Sequence, residues 1–150
     1  MISFEEIRVI TVVYLAVFLP LIIYFKNKDK LPNWVPTFYI IGVVVCSLGW
    51  ELWFSYGWIS GDGVDLRRSE SLNTWLPKDI NWLMNSMGDA GTVLLGGTWL
   101  MWVTHKKDQI VFKEWKWSGF CVLLTWCVTQ NILVEMFLYH DQLAEDKLLS

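Results

Sequence analysis

The chain has 150 residues, 54 % of them hydrophobic and 18 % charged, with 11 tryptophans and a formal net charge of −3. Its mean hydropathy is positive. That profile excludes a soluble domain built round one core and fits a single small polytopic membrane domain, with no nucleic-acid partner expected.

Four apolar stretches are long enough to cross a hydrocarbon layer, which takes about 20 helical residues. They run approximately over residues 9–25, 38–58, 80–103 and 117–139. The expected fold is therefore all-α, a polytopic membrane protein with four transmembrane helices in a bundle. Glu5 and Glu6 precede the first stretch, its flank is not basic and no small-residue cleavage site follows, so it reads as a helix and not as a signal peptide. Pro20 is expected to bend it.

The connections after spans one and three hold Lys26, Lys28, Lys30, Lys106, Lys107, Lys113 and Lys116 against Asp29, Asp108 and Glu114. The other face is acidic, although Arg67, Arg68 and Lys78 lie on it. The positive-inside rule puts the lysine-rich connections in the cytoplasm and both termini on the opposite side. Trp34, Trp58, Trp115, Trp117 and Tyr139 fall at span ends, where amphipathic rings settle at headgroup level.

The connection 59–79 begins as a turn-rich loop with Gly61, Asp62 and Gly63. Pro77 and Asp79 then suit the first turn of a third helix. Arg67-Arg68 reads first as a solvated pair and second as a phosphate or carboxylate binder. Asp62 and Asp65 lack calcium-loop spacing, and neither His105 nor His140 has metal-ligand spacing around it. Cys46, Cys121 and Cys127 all lie in apolar spans without a CxxC, which argues against paired-thiol redox chemistry. No metal or cofactor is expected.

Chemistry concentrates in three acids, Glu51, Asp89 and Glu135, each inside a different apolar stretch. An ionisable group in hydrocarbon costs several kcal/mol unless it faces a bundle interior or a wet cavity, which makes each a functional candidate. Counted inward from the acidic face at about 1.5 Å per residue, they lie at depths of roughly 6 to 14 Å, in one half of the membrane. Asn81, Asn85 and Asp89 recur at intervals of four, as do Ser47, Glu51 and Ser55, and Asn131 and Glu135 with Gln130 beside them. Each series makes a polar stripe on one helix face, and stripes in a bundle face inward. Gly42, Cys46 and Gly49, and Gly88, Thr92 and Gly96, are small-residue series suited to close helix packing, while Gly91 and Gly97 either pack or leave room for a ligand.

Trp50 and Trp53 flank Glu51, Trp82 precedes Asn85 by about one turn, and Trp126 lies one turn before Gln130. Indole faces attract cations, the more so where water is excluded. A neutral carboxyl that donates a proton, a carboxylate that accepts one and tryptophan walls suit a carbocation intermediate in a lipophilic substrate. The catalytic candidates are Glu51 and Asp89. The substrate-binding candidates are Trp50, Trp53, Trp82, Asn85, Trp126, Gln130, Asn131 and Glu135.

The pattern resembles the emopamil-binding or EXPERA group of four-helix membrane modules, which include sterol isomerases and a lipid-binding receptor. The resemblance covers spans two to four through Gly49-Trp50-Glu51-Leu52-Trp53-Phe54, Met87-Gly88-Asp89 with Leu95-Gly96-Gly97-Thr98-Trp99-Leu100, and Gln130 with Glu135-Met136-Phe137-Leu138-Tyr139. It implies protonation of a double bond, a cation stabilised by aromatics and acids, and proton loss elsewhere. Glu51 and Asp89 would then be the acid/base pair, Trp53 and Trp82 would line the cation site, and Gln130 and Asn131 would orient groups. The histidine that the isomerases carry before the glutamate is missing here. Trp50-Glu51 and Asp89 are also similar to the acids of small integral-membrane terpene cyclases, which implies cation-driven ring closure of an isoprenoid chain.

The leading expectation is thus an intramembrane isomerase or cyclase acting on a sterol-like or isoprenoid lipid. The alternatives are a non-catalytic lipid or amphiphile binder, a proton-coupled carrier, and a structural subunit of a membrane complex. The expected partners are a lipophilic small molecule and membrane lipids, with homo-oligomerisation left open.

Overall fold

The computed structural model of the protein describes residues 2–57 and 61–137, and every regular element among them is helical. Trp58, Tyr139, His140 and the end of the fourth expected span fall outside the described residues. α1 (Phe4–Asn27) opens with a capping box, in which the Ser3 hydroxyl accepts from the Glu6 amide and the Glu6 carboxylate accepts from the Ser3 amide. The helix continues without interruption through Pro20, which is buried. A 3₁₀ turn (Lys28–Lys30) leads to α2 (Val35–Leu48), with Pro36 in its first turn.

Where one continuous second span is expected, the chain forms two helices. α2 stops at Gly49, and α3 (Trp50–Tyr56) leaves at 46° to it. Gly49 has φ −91° and ψ −123°, far from helical values, and a Cβ there would stand 2.7 Å from the Val45 carbonyl oxygen. A residue without a Cβ is what allows the break. α3 ends at Gly57, whose φ of +65° is the left-handed cap that glycine adopts most readily.

The connection that follows contains α4 (Val64–Arg67) and α5 (Glu70–Trp75). α6 (Lys78–Ala90) then runs through a π-helical segment (Gly91–Gly96) into α7 (Gly97–Thr104), so the third expected span is a single helical column with a wide turn in its middle. A 3₁₀ turn (Gln109–Phe112) precedes α8 (Trp117–Phe137).

The α6–π–α7 column is the centre of the fold. α1 packs on α6 and the π segment, α2 on the same two, α3 on α6, and α8 on α7. Small residues permit the approach: a Cβ on Gly88 would stand 3.2 Å from the Ala16 methyl, and one on Gly42 would stand 3.2 Å from Ala90. Gly91 faces Ala16, Pro20 and Tyr39, and Gly97 faces Leu123 and Trp126, so both sit against neighbouring helices. One apolar cluster joins Val9 and Val13 to Leu72 and Leu76, and a second joins Leu31 and Val35 to Leu95 and Trp102.

Many large apolar side chains point outward, among them Leu15, Ile40, Val45, Leu124 and Ile132. Such a surface is matched to lipid and not to water. The helical run Phe4–Lys30 and α8 are each long and apolar enough to cross a membrane, and α2 with α3 makes a third such element if the bent pair is one span. These candidate spans are consistent with an integral membrane protein.

Candidate functional site

The break at Gly49 shapes the site. Ending α2 there leaves carbonyl groups without their helical partners, and the Ser47 carbonyl is taken by Trp82 Nε1 at 2.8 Å. Immediately past the break, Trp50 Nε1 donates to Asp89 Oδ2 at 2.9 Å. Two indoles, one from each side, thereby bind the broken helix to α6.

Glu51 is 5 % exposed and lies beside Asn85 and Ser55, whose side chains act on its carboxyl group as hydrogen-bond donors, with the Asp89 charge nearby. Its Oε2 is buried without a hydrogen-bond partner among the described residues. Such an orphaned oxygen costs free energy, on the order of 1–3 kcal/mol, and calls for an explanation. The stripe Ser47-Glu51-Ser55 therefore meets the stripe Asn81-Asn85-Asp89, as facing polar stripes in an apolar setting should.

Asp89 itself is exposed, and so are Trp50 and Trp53, at 44 % and 53 %. The acid pair thus has one buried member and one open to the surroundings of the helices. Trp82 is half-buried, with its ring edge-on to Tyr56 at 6.1 Å between centroids.

The fourth helix contributes differently. Trp126 donates to the Thr92 carbonyl at 2.8 Å and lies over Gly96, so it fastens α8 to the π segment. Gln130 donates to the Cys127 carbonyl of its own helix, and Asn131 is exposed. The side chain of Glu135 is outside the described residues. An open groove of about 400 Å³ runs between α7 and α8, lined by Leu100, Cys121, Val122, Thr125, Trp126 and Thr129. Its lining contains neither Glu51 nor Asp89.

Three residues at the edge of the site were not among the sequence candidates. Asn81, 2 % exposed, directs Nδ2 toward Ser55 Oγ at 3.5 Å, and Ser55 is wholly buried. Arg68 Nη1 donates to Asn81 Oδ1 at 3.0 Å, Nε donates to Asn73 Oδ1 at 2.6 Å, and Nη2 donates to the Leu76 carbonyl. Burial lowers the Arg68 guanidinium from its ordinary value, a cost that the neighbouring Asp65 charge partly offsets. Arg67 donates to the Phe54 carbonyl at the end of α3. The arginine pair expected to be solvated therefore ties the connection to the helix ends. Interval-of-four spacing does reveal Asn81 and Ser55; no local pattern reveals Arg68.

Outside this region, Glu6 accepts from Ser69 Oγ, from the Ser3 amide at 2.6 Å and from Ser71 Oγ at 2.7 Å. It stands in the polar first turn of α1, ahead of the apolar stretch that begins at Val9. These donors, Ser69 foremost, hold its carboxyl down at about 2 from the usual 4.5.

No protein-family model, curated protein or solved structure matches this chain.

Proposed function

We propose that this protein is an intramembrane acid/base enzyme, an isomerase or cyclase of a sterol-like or isoprenoid lipid, with Glu51 and Asp89 as its proton-transferring pair. In this proposal the α6–π–α7 column, α1, α2 with α3, and α8 make a four-span bundle whose lysine-rich connections face the cytoplasm. One observation carries it: Glu51, buried at the helix break beside Asp89, retains a carboxyl oxygen that no group among the described residues satisfies.

The chemistry needs two carboxyl groups in different states. One gives its proton to an alkene carbon, whose π electrons form the new C–H bond and leave a tertiary cation. In an isomerase the other carboxylate removes a proton from an adjacent carbon, and that C–H pair becomes the new double bond. In a cyclase a second alkene of the chain attacks the cation before proton loss. The exposed faces of Trp50 and Trp53 and the ring of Trp82 supply cation stabilisation, worth about 2 kcal/mol or more where water is excluded. Asp89 and the two exposed indoles open the pair toward the lipid phase, from which an apolar substrate arrives.

The test is turnover by purified protein in nanodiscs, with a panel of sterols and linear isoprenoids supplied in deuterated water. The product should carry one deuterium at the protonated carbon, and Glu51→Gln or Asp89→Asn should each lower the rate about 10²- to 10⁴-fold. A wild-type protein inert across the panel would sink the proposal.

The exposure of Asp89 beside Trp50 favours a second reading, a binder of amphiphilic amines or lipids that uses Asp89 as counter-ion. Tight amine binding without any product, lost in Asp89→Asn, would select it.

A further inference from the structure

We infer that Arg68 is a positioning residue for Glu51, acting from the connection before α6 through Asn81 and Ser55. The inference starts from the donor inventory. A guanidinium has five N–H donors and no acceptor, so a side-chain amide that meets it must present its oxygen. With Asn81 Oδ1 held by Arg68 Nη1 at 3.0 Å, Nδ2 is turned toward Ser55 Oγ at 3.5 Å. A hydroxyl carries one proton, and with its oxygen accepting from Asn81, that proton is directed elsewhere. Glu51 lies one turn earlier on α3, and Ser55 is one of the two side chains that act on its carboxyl as donors.

Every link runs the same way: Arg68 to Asn81, Asn81 to Ser55, Ser55 to Glu51. Turning the Asn81 amide over would set its Nδ2, a donor, against the Arg68 guanidinium, so the Arg68–Asn81–Ser55 links have one direction. All the members after Arg68 are nearly or wholly withdrawn from solvent, at 2 % for Asn81, 0 % for Ser55 and 5 % for Glu51. In such surroundings a misdirected polar group has no water to turn to, so the direction of the chain is strongly held. Arg68 is itself fixed by Asn73 and by the Leu76 carbonyl, which leaves it little freedom to point elsewhere.

The consequence is that a surface connection sets the orientation of a buried carboxyl group. Ser55 and Asn85 engage Glu51 while its Oε2, without a partner among the described residues, stays available to a reacting atom. The effect on turnover rests on the proposed enzyme function; the hydrogen-bond chain does not.

Infrared spectroscopy of the purified full chain separates the two. The Glu51 carboxyl band is assigned from the difference between wild type and Glu51→Gln. Ser55→Ala and Arg68→Lys should each shift that band, in proteins that keep wild-type circular dichroism and a single size-exclusion peak. If the chain turns over a lipid, Arg68→Lys should lower kcat about tenfold with KM nearly unchanged, the size typical of partners that orient a reactive group. Asn81→Leu breaks the same chain with Arg68 still bound to Asn73 and Leu76, and replaces Arg68→Lys if that variant does not fold. A band that moves in an enzyme inert to every lipid supports the chain and refutes the catalysis. A band unmoved by Ser55→Ala, or moved by Ser55→Ala but not by folded Arg68→Lys or Asn81→Leu, overturns the inference.

Discussion

Trp50 Nε1 donates to Asp89 Oδ2 at 2.9 Å, joining the first residue after the Gly49 break to the last acid of α6. Because the two lie 39 residues apart, this bond exists only when α3 is docked in its bent position. It reports on the site and on the fold together. Trp50→Phe keeps an aromatic ring, smaller than indole, and removes the donor. Given the exposure of both partners, the loss expected is about 1 kcal/mol, read as a small fall in unfolding temperature in detergent. An unchanged unfolding temperature would mean that lipid or water replaces the indole at no cost.

Glu51→Gln should stabilise the protein while abolishing turnover. The nearby Asp89 carboxylate disfavours a second charge, and exchanging the acid for a neutral isostere removes that repulsion, while the amide NH2 takes the place of the unpartnered oxygen. A gain of about 1 kcal/mol would raise the unfolding temperature by roughly 2–4 °C in a chain of this size. A functional site carries such a cost; a purely structural acid loses stability when replaced.

Gly49→Ala should destabilise by about 1–3 kcal/mol and weaken the site, since the added Cβ would stand 2.7 Å from the Val45 carbonyl. Relief requires α2 and α3 to shift, and that displaces both the Trp82–Ser47 and Trp50–Asp89 bonds. Gly61→Ala is the matched control, because a Cβ there meets nothing within 4 Å. Thermal scans and tryptophan fluorescence of the two variants should differ; equal behaviour would remove the case for a glycine-dependent break.

The Glu6 carboxylate predicts an acid dependence. Its value is depressed in the folded state, so its contribution is fully present above the usual 4.5 and is lost as pH falls toward about 2. Wild type should unfold at a higher temperature than Glu6→Gln at pH 7. The gap should narrow steadily below pH 4.5. A gap that stays constant down to pH 3 would show that Ser69 and Ser71 stabilise either side chain equally.

Sequence alone determined the helical class, the apolar character of the outer surface and the two polar stripes that meet at Glu51 and Asn85. Each follows from local physics: length and hydropathy set what lipid tolerates, and an interval of four residues puts side chains on one face. The tertiary structure decided the rest. Gly49 breaks a helix while Gly88 only lets α1 approach, and the two differ in backbone path, which residue identity does not encode. Trp126 matches the spacing of a site tryptophan yet serves the Thr92 carbonyl of the π segment, a partner that depends on how α8 packs against the central column. Arg68 reads as a solvated loop charge until the path from α3 to α6 brings it to Asn81, 13 residues away. Periodicity specifies which face a residue occupies; only the packing of helices specifies what that face meets.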